Sequence, residues 1–301
     1  MLIKMKINIL VVLFFLLFIY FVCKNISLND LTLAEENEKS FIGMESCLKC
    51  HNTPKIIKEY RKSIHYNALN NTELPTEKQG CESCHGPGSK HVENRPDIID
   101  FKKLAHQESS KICLTCHFNL NQKANWTFSK HNQSGDGCLT CHSIHNAKKF
   151  LLKEKIKEDN TSRLCLSCHK DEAHKFRLTS RHPLFEERIK CIDCHNQHGS
   201  DNRNSLIKES NDLCVSCHPN YKGPFIAEHQ ATDENYQNGC LNCHQAHGSP
   251  NRHLLTLTER GTCIQCHGDK IVEHNPGMNC LNCHPYIHGS TVDSAIPFGQ
   301  P

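Results

Sequence analysis

Apolar and polar positions show little periodicity over most of the chain, with one strong exception at the start. Ile9 to Cys23 is an unbroken apolar run, and Lys4 and Lys6 precede it. A basic start followed by an apolar stretch has the form of a secretory signal. The run is short for a membrane-spanning helix, which takes about 20 apolar residues. The best small-x-small cleavage site, Thr32-Leu33-Ala34, lies well downstream, and bulky Phe21 and Val22 ahead of Cys23 argue against lipid attachment. Residues 1–23 are therefore read as a signal peptide or a retained N-terminal membrane anchor. Both place the rest of the chain outside the cytoplasm. Residues 24–46 are polar and read as a linker.

Two further stretches carry a helical pattern. Thr53 and Pro54 suit the N-cap and first position of a helix, and Ile56, Ile57, Tyr60 and Ile64 then form one stripe that would carry His65. Residues 148–159, KKFLLKEKIKED, read as a charged, solvated helix. Elsewhere the pattern predicts short helical turns joined by Gly, Asn, Ser and Pro, with no sustained strand. Apolar residues make up 37% of the 301, a figure that already includes 21 cysteines, and there is one Trp. Such a chain buries too little apolar area to offset its ordering entropy. Disulfides, metals or large cofactors must take the place of a core.

The cysteines show which. Twenty of the 21 form ten copies of C-x-x-C: Cys47/Cys50, Cys81/Cys84, Cys113/Cys116, Cys138/Cys141, Cys165/Cys168, Cys191/Cys194, Cys214/Cys217, Cys240/Cys243, Cys263/Cys266 and Cys280/Cys283. A histidine follows every copy: His51, His85, His117, His142, His169, His195, His218, His244, His267 and His284. With 23 His in 301 residues, ten successes in ten by chance have a probability of roughly 10⁻¹¹. A disulfide framework or paired-cysteine zinc knuckles would give the histidine no role. Covalent c-type haem attachment uses all three residues, two thiols for the vinyl groups and the imidazole for the iron. Positions i, i+3 and i+4 share one face of a helical turn, so the three reach a porphyrin together.

Of the remaining histidines, a candidate lies between the two motifs of each consecutive pair (His65, His131, His182, His229, His274) and another follows shortly after (His91, His145, His198, His247, His288). That is ten candidates for ten distal iron positions. His106, His174 and His253 are left over as surface or propionate-contacting residues, and Met44 and Met278 lie beside motifs as minor axial alternatives. The repeat defines haem modules at 47–112, 113–164, 165–213, 214–262 and 263–301. Ser-Ile-His65, Ser-Lys-His131 and Ser-Arg-His182 share a serine two residues before the histidine, and Gly-Ser follows His198, His247 and His288. His247, three residues from His244, cannot reach the far face of the same iron. It is expected to face a neighbouring haem, that of the other motif in its module, unless it caps a turn or binds a propionate.

Imidazole on both faces closes the iron to substrate and lowers its potential relative to a His/Met pair. After residues 1–23, fewer than thirty residues remain per motif, so the haems must stack. The expected fold is a multihaem cytochrome c: short α-helices and loops around an elongated haem stack, with five two-haem repeats and little or no β-structure. The formal charge of +3 describes the apoprotein. Two propionates per haem make the loaded protein acidic, so no nucleic-acid partner is expected.

These residues resemble a known family. The ten motifs, CESCHGPGSKHV at 81–92 and the repeated C-x-x-C-H-x-x-H-G-S are similar to the periplasmic decahaem c-type cytochromes of the MtrA/DmsE type, over about residues 41–290. The resemblance implies a haem wire with ten covalent haems that moves electrons across the periplasm. It implies a periplasmic or inner-membrane donor, and an outer-membrane β-barrel with an extracellular cytochrome or reductase as acceptor. A retained anchor would instead make the protein an inner-membrane-anchored carrier. A multihaem reductase of nitrite, hydroxylamine or a sulfur oxyanion is the enzymatic alternative, but the altered attachment motif usual in such enzymes is absent.

Overall fold

The computed structural model describes residues 39–93, 96–117, 119, 125–145, 161–233, 238–273 and 277–291. Residues 1–23, the linker as far as 38, the stretch 148–159 and His274 lie outside them. Among the described residues no helix is long and apolar enough to cross a membrane.

Among the described residues the helices are short. His106–Cys113 and Thr161–Cys168 run for eight residues each, and many elements are single turns. Helices below about 12 residues are marginal in isolation, so packing must hold them. Among the described residues the one sheet is two residues a side: Ser180–Arg181 runs antiparallel to Gly248–Ser249, with Ser180 opposite Ser249 and Arg181 opposite Gly248. Among the described residues the buried apolar side chains are Phe176, Leu184, Ala227 and Leu255. The most completely buried side chains are serines, Ser63, Ser109, Ser110 and Ser249. The described residues thus form no hydrophobic core of their own, as the composition predicts.

The chain divides into two compact units, residues 1–102 and 103–301. In the first, a helix does begin at Pro54 with Thr53 at its N-cap, but it ends at Tyr60. A second helix, Ile64–Leu69, carries His65, and the Ser63 hydroxyl accepts from the N–H of Tyr66 to cap it. Ile64 is 73% exposed, so the expected stripe does not extend to it. The Ser63 cap resets the helix and with it the face that each residue presents.

The buried Glu82 carboxylate organises the rest of this unit. It accepts from the backbone N–H of Ile42, Gly43 and Gly88 at 2.7 to 3.1 Å. This explains the Gly-Pro-Gly that follows His85. Gly86 has φ +78°, and a Cβ on Gly88 would stand 3.1 Å from Ile42 and 3.2 Å from the Glu82 carboxylate.

In the second unit, one loop design occurs twice. The Ser200 hydroxyl donates to Leu206 O and accepts from the Asn202 N–H; Ser249 does the same with Leu255 and Asn251. Asn204–Ser205 and His253–Leu254 then take φ between 55° and 58°. Two successive positive-φ residues make a type I′ turn, closed by Leu206 N–H to Arg203 O and by Leu255 N–H to Arg252 O. In these two loops the serine of the Gly-Ser is thus the pin, buried at Ser249 and half-buried at Ser200.

Candidate haem sites

Each attachment motif closes one helical turn. In all ten, the histidine N–H donates to the carbonyl of the first cysteine, at 2.9 to 3.1 Å. This is the i, i+4 geometry that brings the imidazole back over the start of the turn. The two motifs of each repeat also meet. The first cysteines stand thiol to thiol in the pairs Cys47/Cys81, Cys113/Cys138, Cys165/Cys191, Cys214/Cys240 and Cys263/Cys280. Porphyrins attached at such paired thiols start from adjacent points. No disulfide joins the described cysteines.

The spacing alone gives both thiols of a motif one common setting; the structure separates their surroundings. The first cysteines are half-buried against each other. The second cysteines lie outside those thiol pairs: Cys50, Cys116, Cys141, Cys168, Cys217, Cys266 and Cys283 are exposed, and Cys84, Cys194 and Cys243 are half-buried. The turn itself is the reason. Three residues at about 100° each leave the second side chain roughly 60° round from the first, so only the first can point at the companion motif. The second thiols have other neighbours. The hydroxyls of Ser83, Thr115, Ser167 and Ser216 lie 3.7 to 4.0 Å from the sulfurs of Cys84, Cys116, Cys168 and Cys217. Cys194 and Cys243 feel Cys217 and Cys266 of the following module, and burial first, with those neighbours contributing, pushes their thiols up.

Imidazoles face one another in a recurring arrangement. Ring centroids are 6.2 Å apart for His51/His91, 6.0 Å for His131/His169, 5.8 Å for His142/His198, 6.2 Å for His182/His218, 5.9 Å for His195/His247, 6.2 Å for His229/His267 and 6.1 Å for His244/His288. Every pair joins one motif histidine to one predicted distal histidine. These pairs do not include the motif histidines His85, His117 and His284, nor the distal candidates His65 and His145. A metal bonded to both rings at ~2.0 Å separates the centroids by roughly 6 Å. The chain therefore holds gaps of the depth of an iron between imidazoles. Among the described residues no three or more His, Cys, Asp or Glu converge as a metal site of their own. An iron that arrives with four porphyrin nitrogens needs only two ligands.

The pairing corrects one expectation. His247 faces His195, in the module before its own, and not His218. His198 likewise faces His142, and His288 faces His244. The exchange is reciprocal: His131, His182 and His229 face His169, His218 and His267 of the following module. Among these pairs His91, in the first module, is the one that faces a motif of its own, at His51.

The cause is a close backbone approach. A Cβ on Gly199 would lie 2.3 Å from Asn125 O, one on Gly248 2.0 Å from Lys175 O, and one on Gly289 2.4 Å from the Phe225 ring. The glycine after each histidine lets the loop seat on the preceding module. The seated loop then returns a carbonyl to that module's own histidine. Gln197 O meets His131 Nδ1 at 3.0 Å, Ala246 O meets His182 Nδ1, and Ile287 O bonds to His229.

Motif histidines are oriented too: His195 Nδ1 is 3.0 Å from Asn204 O, His244 Nδ1 2.8 Å from His253 O, and His85 Nδ1 2.8 Å from Ile99 O. A bonded Nδ1 leaves Nε2 for the metal and fixes the tautomer. Burial, with a neighbouring imidazole second, holds His142, His198 and His288 below the usual imidazole range. They are neutral at pH 7, which is the form that ligates.

These carbonyl acceptors were not visible in the sequence, because any residue supplies a carbonyl. The left-handed turn that aims two of them was also hidden; His253 serves through its backbone, while its side chain and those of His106 and His174 are exposed. The seating glycines did carry a signal, the repeated His-Gly-Ser.

Comparison with known proteins agrees with the geometry. Residues 182–223 and 232–272 match the doubled CXXCH motif, and residues 3–178 match the N-terminal region of the NapC/NirT cytochrome c family. The multiheme cytochrome MtrA of Shewanella baltica (strain OS185) is 33% identical over 172 residues, 56% of this chain and 50% of that protein. The match therefore spans about half the length of that relative. With attachment motifs for covalent c-type haems along its length and the family match covering more than half of it, this chain belongs to the NapC/NirT family of multihaem c-type cytochromes.

Proposed function

We propose that this chain is an electron-transfer decahaem cytochrome, with ten haems arranged as five two-haem modules and each iron held between two imidazoles. The facing imidazole pairs at 5.8 to 6.2 Å carry this reading. Each bound haem supplies a one-electron carrier. The protein's part is to close both faces of the iron, which removes a substrate position, and to keep the sites adjacent through the paired thiols and the exchanged histidines. It is not an enzyme on this reading. The resemblance noted in the sequence supports a periplasmic conduit, with a periplasmic or inner-membrane donor and an outer-membrane β-barrel with an extracellular cytochrome or reductase as acceptor.

The test is spectroscopic. The isolated protein should contain ten haems by pyridine haemochrome and show low-spin ferric EPR signals alone. It should bind neither cyanide nor nitric oxide as isolated. A high-spin centre that takes up either ligand would favour a reductase. Co-purification with a barrel protein tests the partner.

A second reading, an inner-membrane-anchored carrier, is favoured by the family match, which begins at residue 3 and so takes in the apolar run. The mass of the mature protein and its partition into inner-membrane fractions separate the two readings.

A further inference from the structure

The third residue after the first-motif histidine of a module has a repeated role. In the third module this residue is Glu172, and its Oε2 lies against Nδ1 of His247. In the fourth it is Tyr221, whose ring lies 4.5 Å from that of His288. His247 and His288 are equivalent residues of successive modules, so one position of the repeat supplies the neighbour of the incoming histidine. His198, the preceding equivalent, has the Trp126 ring at 6.4 Å. The three neighbours differ in kind: indole, carboxylate and phenol.

We infer that Glu172 is a potential-tuning residue, which acts through His247 to make the haem carried by Cys191 and Cys194 harder to reduce than the one carried by Cys240 and Cys243. The inference rests on the ligation proposed above. A carboxylate on the outer nitrogen of a metal-bound imidazole makes that ligand more basic. A more basic ligand stabilises the ferric form, and hydrogen bonding around the axial ligand is one of the levers a protein has on haem potential. The tyrosine at the equivalent position places no anion there. Glu172 is well placed for this role. It sits on the helix Lys170–Lys175, its other oxygen accepts from Lys175 Nζ at 2.8 Å, and Phe176 packs against His247 with ring centroids 5.2 Å apart. Lys175 moderates the effect, because it draws charge from the same carboxylate. Differences of this kind along the repeat would give otherwise equivalent haems an ordered set of potentials.

The experiment is an optical and EPR-monitored redox titration of the full-length, haem-loaded protein. Glu172→Gln should shift one one-electron component upward by a factor of ten or more in its redox equilibrium, about 59 mV, with haem content and low-spin signals unchanged. Lys175→Met should shift the same component downward. Neither shift should appear when Cys191 and Cys194 are both serine. Asp171→Asn, an exposed carboxylate on the same helix, should leave every component in place. Unchanged potentials in Glu172→Gln, or equal shifts in Glu172→Gln and Asp171→Asn, would overturn the inference and leave the ligation standing. High-spin haem in the unaltered protein would overturn the ligation itself, and this inference with it.

Discussion

His247 faces His195 with ring centroids 5.9 Å apart, although His244 is its neighbour in the chain and His218 belongs to its own module. The arrangement makes the third and fourth modules incomplete alone. In the third and fourth modules the second motif histidine faces a residue of the next module, and the first faces a residue of the previous one. Replacement of His247 should therefore open a haem in the preceding module. His247→Ala is expected to produce one high-spin, carbon monoxide-binding centre on the haem of Cys191 and Cys194. The same change in a protein lacking that haem should produce none. An open centre on the haem of Cys214 and Cys217 would contradict the pairing.

Gly248 should tolerate no side chain. A methyl group there would stand 2.0 Å from Lys175 O, a backbone atom that cannot step aside without moving its helix. Overpacking of this kind costs about 1–3 kcal/mol. Gly248→Ala should lower the urea midpoint and yield partly high-spin haem, because His247 and the carbonyl of Ala246 ride on the displaced loop. Gly135→Ala, where a Cβ meets nothing within 4 Å but φ is +91°, should cost only the backbone strain and leave the spectrum unchanged.

Glu82 is the structural anchor of the first unit. Its removal leaves the N–H groups of Ile42, Gly43 and Gly88 without their carboxylate. A hydrogen bond to a charged group contributes about 1.5–3 kcal/mol. Glu82→Ala should destabilise this unit by roughly 3 kcal/mol or more, seen as early proteolysis within residues 39–102 while fragments of the second unit persist. Equal protection of both units would show that the carboxylate is dispensable.

Acid should weaken the second unit. Burial holds His142, His198 and His288 below their unfolded values. Below about pH 6.5 the unfolded chain binds protons that the folded chain refuses. The contribution of these residues is therefore complete above that pH and declines as pH falls through the window beneath it. Iron ligation works in the same direction, since protons compete with the metal for the nitrogen. The urea midpoint should fall between pH 7.5 and pH 5.5, with high-spin signals growing at the acidic end; a midpoint that rises would contradict the assignment.

The chemistry was legible in the chain because covalent haem attachment is a local requirement. Two thiols and an imidazole must share one helical turn, so their spacing is written at i, i+3 and i+4, and ten repetitions leave little room for another meaning. The want of apolar residues for a core is likewise a matter of composition, and among the described residues the burial of serines agrees with it. Spacing could not tell the two thiols of a motif apart: Cys47 meets Cys81 while Cys50 stays exposed, because the companion motif approaches from one side. The second set of histidines could be counted and placed in the repeat, but their partners could not be read. Which imidazole meets which is settled by the path of the backbone between modules, and Gly199, Gly248 and Gly289 permit that path by what they lack. The carbonyls of Gln197, Ala246 and Ile287 and the carboxylate of Glu172 became neighbours of imidazoles only when one module was laid on the next. Such long-range contacts leave no spacing in the sequence, because only folding brings their two ends together.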